Sequence, residues 1–134
     1  MKQTRAKPAD IHAALAALPA LRNRGPQTPE HEVQAAFARL SETRDGAVYA
    51  GRFDGQSAWE RHPNGDELVQ VLAGETQLTI LTPDGPSVLR MTAGMLVIVP
   101  QGWWHRFHAP TGVTVLTMTP APTEHSTAED PTGA

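Results

Sequence analysis

The 134-residue chain contains no cysteine. That excludes disulfides and thiolate metal sites, and it leaves the redox compartment open. There is no basic block or stripe. Lys plus Arg number 11 against 14 Asp plus Glu, a net charge of −3, and only Lys2, Arg5 and Lys7 make the N-terminal tip locally basic. This balance argues against nucleic acid as a principal partner. No apolar run approaches the roughly 20 residues that cross a bilayer, so no membrane partner is expected. The basic tip and the Ala/Leu-rich residues 11–21 have the outline of a secretory leader. Asp10, His12 and Pro19 interrupt it, and no small-x-small cleavage site follows. The expected location is the cytoplasm. Internal repeats and low-complexity tracts are also absent.

What is present falls into three zones. Residues 1–45 are rich in Ala, Leu and Glu and read as an N-terminal helical extension. Asp10 can cap a helix whose apolar stripe is Ile11, Leu15 and Leu18, closed by Pro19. Residues 22–27 read as a loop around Gly25-Pro26. Thr28-Pro29 then pairs a cap residue with proline at the first helical position, and predicts a helix with Val33, Phe37 and Leu40 on one face.

Residues 46–119 are rich in Val, Thr, Leu and Gly and read as short strands over 47–53, 58–62, 67–72, 76–82, 87–91, 95–99, 104–108 and 113–119. Each gap carries Gly or Pro: Asp54-Gly55, Pro63-Asn64-Gly65-Asp66, Ala73-Gly74, Pro83-Asp84-Gly85-Pro86, Ala93-Gly94, Gln101-Gly102 and Pro110-Thr111-Gly112. Short strands at this spacing predict an all-β antiparallel sandwich or jelly-roll barrel, which hides most strand edges. Residues 120–134 lack an apolar run and read as a flexible tail.

The chemistry concentrates in two segments. Trp59-Glu60-Arg61-His62-Pro63-Asn64-Gly65-Asp66-Glu67 sets two carboxylates and an imidazole around a turn, and Pro100-Gln101-Gly102-Trp103-Trp104-His105 brings a second imidazole. Two histidines with one or two carboxylates are a metal-ligand set. Alternation along a strand places Glu60 and His62 on one face, Glu67 with Val69 and Val71, and His105 with Trp103 and Phe107. The last four apolar residues are therefore the candidate pocket wall. Trp104, Arg106 and His108 would face the opposite way.

The spacing resembles the cupin superfamily. Its first motif is Gly-x5-His-x-His-x(3,4)-Glu-x6-Gly, matched here by His62, Glu67 and Gly74, with Asp54 in place of the leading Gly and Glu60 in place of the first His. Its second is Gly-x5-Pro-x-Gly-x2-His-x3-Asn, matched by Gly94, Pro100, Gly102 and His105, with Ala109 in place of Asn. The resemblance implies an antiparallel double-stranded β-helix over residues 46–119. It also implies metal ligands His62, Glu67 and His105, with Glu60 at a fourth ligand position of altered chemistry. Imidazole suits Fe(II), Mn(II), Ni(II), Zn(II) and Cu(II), and carboxylate shifts preference toward harder ions.

Alternatives stand beside each residue. His62 and His105 could hydrogen-bond inside a metal-free polar pocket. Glu67 could be a buried carboxylate paired with an imidazole. Glu60 could be a ligand, a catalytic general base or an ion-pair partner near the metal. Trp59, Trp103, Trp104 and Phe107 are first of all packing residues, and His12, His31, His108 and His125 carry no special signal. Three ligands would leave positions open, as in a catalytic site. The expectation is a metal-dependent enzyme of oxygenase or isomerase type acting on a small molecule. A non-catalytic ligand-binding or sensing barrel is the alternative. A homodimer is expected by resemblance.

Overall fold

A computed structural model describes residues 6–133; Lys2 and Arg5 of the basic tip lie outside the described residues. The elements in order are α1 (Ile11–Ala16), β1 (Leu21–Arg24), α2 (Glu30–Ala35), β2 (Phe37–Glu42), β3 (Gly46–Gln56) and β4 (Trp59–Arg61). Then follow β5 (Glu67–Thr82), β6 (Gly85–Thr92), β7 (Leu96–Val99), β8 (His105–Pro120) and β9 (Glu124–Ser126). The expected all-β antiparallel jelly-roll forms as one curled sheet. No helix among the described residues is long and apolar enough to cross a membrane.

β5 and β8 form the spine. They pair antiparallel in two stretches, Leu68–Gly74 against Val113–Met118 and Gln77–Ile80 against His105–Phe107 and His108, with register shifts between. β3 lies along the other side of β8, while β6 and β7 pair with the two halves of β5. The expected turns at Ala73-Gly74 and Pro110-Thr111-Gly112 are thus bulges inside two 16-residue strands. Gly74 has φ +72°, and a Cβ there would run into the Gly112 carbonyl. The bulge also changes the buried parity of β5. Glu67, Val69 and Val71 face inward before it; Thr76, Leu78 and Ile80 do so after it. The inward residues meet Phe53, Met91, Val99, Phe107, Ala109, Val113 and Val115 in one core. Each fully buried Val, Leu or Phe side chain contributes about 1.5–3 kcal/mol.

The N-terminal extension is helical only in part. Asp10 caps α1 as expected, its carboxylate accepting from the Ala13 amide at 3.0 Å. The loop expected at 22–27 begins instead in β1, which pairs parallel with β3. Gly55 permits this approach, because a Cβ there would strike the Arg24 backbone. Thr28 does not cap the second helix; its hydroxyl accepts from the Gly25 amide at 2.8 Å. That helix stops at Ala35, and Phe37 and Leu40 belong to β2, paired with the free edge of β3. The Phe37 ring lies where a Cβ on Gly51 would sit. Sheet pairing overrides the helical pattern here.

The C-terminal segment read as a flexible tail carries β9, which pairs with β4 through Trp59↔Ser126, Glu60↔His125 and Arg61↔Glu124. Arg61 adds an ion pair to Glu124 at 2.7 Å, and the Trp59 indole N–H donates to the Glu129 carbonyl at 3.3 Å. Backbone pairing needs no apolar pattern, so composition does not reveal it.

Candidate metal centre

The two motif segments are joined at their turns. The Gln101 amide donates to Asp66 Oδ1 at 2.9 Å, the Gln101 side-chain amide to the Pro63 carbonyl at 2.7 Å, and the Gly102 amide to the His62 carbonyl at 3.0 Å. Gly102 makes the corner with φ +79°. Asp66 is therefore a turn residue with a second task, holding the Pro-Gln-Gly corner. These bonds set the His62 and His105 rings 5.3 Å apart.

Glu67, at the start of β5, points between them. Its Oε2 lies 3.2 Å from His62 Nε2 and its Oε1 lies 3.0 Å from His105 Nε2. All three residues are at most 4 % exposed. The approaches are short enough for hydrogen bonds. Yet His62 Nε2, Glu67 Oε1 and His105 Nε2 have no hydrogen-bond partner, so the directions are wrong for one. Three buried donor atoms that face one another, within 4.8 Å and unsatisfied, are what a shared cation would satisfy. The residues fit a divalent metal in donor type and in arrangement.

The far side of each of these three residues is held. His105 Nδ1 lies 3.2 Å from the Trp103 carbonyl. A carbonyl only accepts, so Nδ1 carries a proton and Nε2 is the atom turned toward Glu67. His62 Nδ1 meets the Thr123 hydroxyl at 3.1 Å. The Thr119 hydroxyl donates to Glu67 Oε2 at 2.7 Å, with Thr117 behind it at 2.9 Å. Burial pushes the Glu67 carboxyl up, but the two imidazoles outweigh burial and pull it down to about 2. Burial lowers His105, yet Glu67 overcomes that and its pKa is raised.

Glu60 is not part of the converging group. Glu60 stands opposite His105 in the β4–β8 pairing and its charge helps to raise the His105 pKa, although its carboxylate does not join the three converging atoms. The Glu60 carboxylate lies 3.5 Å from Arg24 Nη2 and 4.0 Å from His125 Nε2. It lines a cavity of about 570 Å³, together with Glu67, Phe107, Arg24 and Phe37. Of the four apolar residues expected at the pocket wall, Phe107 lines this cavity. Val69 and Val71 are wholly buried in the core, and Trp103 packs half-buried against it. Inward in a curled sheet means toward a filled core as often as toward a cavity. Trp59 and Trp104 lie elsewhere, under the guanidinium groups of Arg106 and Arg61 at 4.3 and 4.5 Å.

The sequence reading missed Thr117, Thr119, Thr123, Arg24 and Phe37, and it gave His125 no role. Strand alternation from His105 along β8 reaches Thr117 and Thr119, so those two carried a signal. Thr123, Arg24 and Phe37 carried none.

Residues 52–119 match the family described as the cupin domain, just over half of the chain. The chain belongs to the cupin family. Solved cupin-like folds resemble it at low identity. Protein NMB1881 from Neisseria meningitidis superposes with a TM-score of 0.61 at 16 % identity, over 90 % of this chain and 100 % of that one. Hydroquinone 1,2-dioxygenase from Sphingomonas sp. TTNP3, with 4-hydroxybenzoate bound, gives 0.59 at 15 %, over 89 % and 75 %. Hydroquinone 1,2-dioxygenase PnpCD, in complex with Cd2+ and 4-hydroxybenzonitrile, gives 0.54 at 22 %, over 63 % of each chain. The chain thus spans less than two thirds of that last protein. At these identities the likeness establishes the fold alone. Among curated proteins none matches.

Proposed function

We propose that this cupin is a metal-dependent enzyme in which His62, Glu67 and His105 hold a divalent ion beside a cavity that admits a small organic substrate. The observation that supports the reading is the convergence of three buried, unsatisfied donor atoms. A bound divalent ion would supply Lewis acidity or oxygen activation, which suits oxygenase- or isomerase-type chemistry. The chain's own residues do the rest. The Trp103 carbonyl fixes the tautomer of His105, Thr119 orients Glu67, and Phe37 and Phe107 keep part of the cavity apolar. Glu60, on the cavity wall, is the candidate proton carrier. Hydroquinone 1,2-dioxygenases with aromatic ligands among the similar folds make aromatic diols the first substrates to try.

The ion is Fe, Mn, Ni, Zn or Cu; two imidazoles and one carboxylate accept all five. The working form is proposed to be a cytoplasmic homodimer. Leu96, Ile98 and Met118 lie exposed on neighbouring strands β7 and β8 across Leu68 of β5, an apolar strip that a second copy would cover.

The deciding experiment is elemental analysis of protein purified without chelator or histidine tag. One equivalent of a divalent ion, lost in His105→Ala, is expected. Sub-stoichiometric metal that is unchanged in that variant sinks the reading. Oxygen uptake with diols, catechols, keto acids and thiols then tests turnover. A second reading is a non-catalytic ligand-binding cupin. It is favoured by the burial of both imidazoles, since Glu67 alone of the three ligands lines the cavity. Ligand binding without turnover across that panel would select it.

A further inference from the structure

Arg24 is an unusual wall for such a cavity. It is only 8 % exposed, and its guanidinium carbon lies 4.7 Å from the Phe53 ring centroid and 5.9 Å from that of Phe37. β1 carries it there, and Gly55 lets β1 approach so closely. A guanidinium has five N–H donors in a planar fork. Among the described residues this one makes a single hydrogen bond, Nη2 to Glu60 Oε1, at the outer limit of 3.5 Å. A guanidinium on a buried side chain, with most of its N–H groups unbonded within the described residues and opening on a cavity, is an unfinished anion site.

The charges around it narrow the anion. The cavity is lined by Glu30, Glu60 and Glu67 against Arg24, Arg39 and His125. Glu67 is engaged by the two imidazoles, and His125 lies 3.3 Å from Glu30 and 4.0 Å from Glu60. Arg39 lies 3.9 Å from Glu42, so a doubly charged phosphate would face Glu30 and Glu60 with Arg24, itself 3.5 Å from Glu60, as the remaining cation. One carboxylate brings one charge and two oxygens in the plane of the fork. It can make two N–H···O bonds near 2.8 Å, shorter than the Glu60 contact it would displace.

We infer that the cavity takes a small organic monocarboxylate, gripped by the fork of Arg24, with its apolar body against Phe37 and Phe107. The inference rests on the cavity being the ligand site proposed above. It makes Arg24 the specificity residue and Glu60 its internal rival.

Calorimetric titration of the full chain, with its metal content measured beforehand, tests this with three probes: benzoate, its neutral isostere benzamide, and inorganic phosphate. Benzoate binding at least tenfold tighter than benzamide is expected, with no binding of phosphate. Arg24→Gln should erase the preference, and Glu60→Gln should tighten benzoate several-fold by freeing the fork. Equal binding of benzoate and benzamide, no binding of either, or phosphate binding as tightly as benzoate overturns the inference. So does a folded Arg24→Gln that keeps the preference. If Arg24→Gln does not fold, Glu60→Gln decides, and unchanged or weaker benzoate binding overturns the inference. A protein without metal that still prefers benzoate overturns the metal reading and leaves this one standing.

Discussion

Glu67 Oε1 and His105 Nε2 approach to 3.0 Å without making a hydrogen bond. Nδ1 is turned to the Trp103 carbonyl, so in the neutral ring two lone-pair-bearing atoms would face each other in a dry interior. Such an arrangement is costly unless a proton or a metal ion lies between them.

Glu60 lies outside the converging group and is held by Arg24. Glu60→Gln should therefore leave metal affinity within about twofold, whereas His62→Ala should lower it by orders of magnitude. Competition with a fluorescent chelator measures both. A large loss in Glu60→Gln would return Glu60 to the ligand set.

Thr119 donates to Glu67 Oε2. Thr119→Val keeps the shape and removes the donor, leaving the carboxylate less firmly aimed. A metal affinity lower by about 10–100-fold is expected, as for other partners standing behind ligands. The same titration reads it, and unaltered affinity would show that Thr119 has no orienting role.

Metal-free stability should peak in mildly acidic solution. Glu67 is pulled from 4.5 to about 2 on folding, so its contribution is full above about 4.5 and is lost as the pH falls toward 2. His105 is raised above 6.5, so its contribution is full below 6.5 and is lost as the pH rises through the folded value. Urea midpoints in excess chelator, from pH 3 to 8, should rise and then fall, with the maximum between about 4.5 and 6.5. A flat profile across that range contradicts the pairing.

Gly74→Ala should destabilise the barrel by more than about 1 kcal/mol. The new Cβ has a left-handed backbone to sit on and the Gly112 carbonyl in its way. Ala at Gly85, where φ is +115° but nothing lies within 4 Å, isolates the backbone part of the cost. Urea unfolding of the two variants gives the comparison. Equal losses would mean that the close approach at Gly74 costs nothing.

The sequence by itself determined the barrel, and its resemblance to the cupin motifs singled out His62, Glu67 and His105, with Glu60 set beside them. Strand alternation and Gly/Pro punctuation are local properties, and they placed every strand of residues 46–119 in or near its position. The fixed spacing around His62, Glu67 and His105 is local too, because each turn sets the next strand's start. Only the tertiary structure decided what surrounds them. Whether Gly74 ends a strand or bends one depends on the facing Gly112 carbonyl. Whether Phe37 continues a helix or opens a strand depends on the free edge of β3 and the space above Gly51. Glu60, opposite His105 across β4 and β8, reaches Arg24 and His125 with its carboxylate because β1 and β9 close around it. These are contacts between segments tens of residues apart, chosen by edges, bulges and missing Cβ atoms, and no local pattern encodes them.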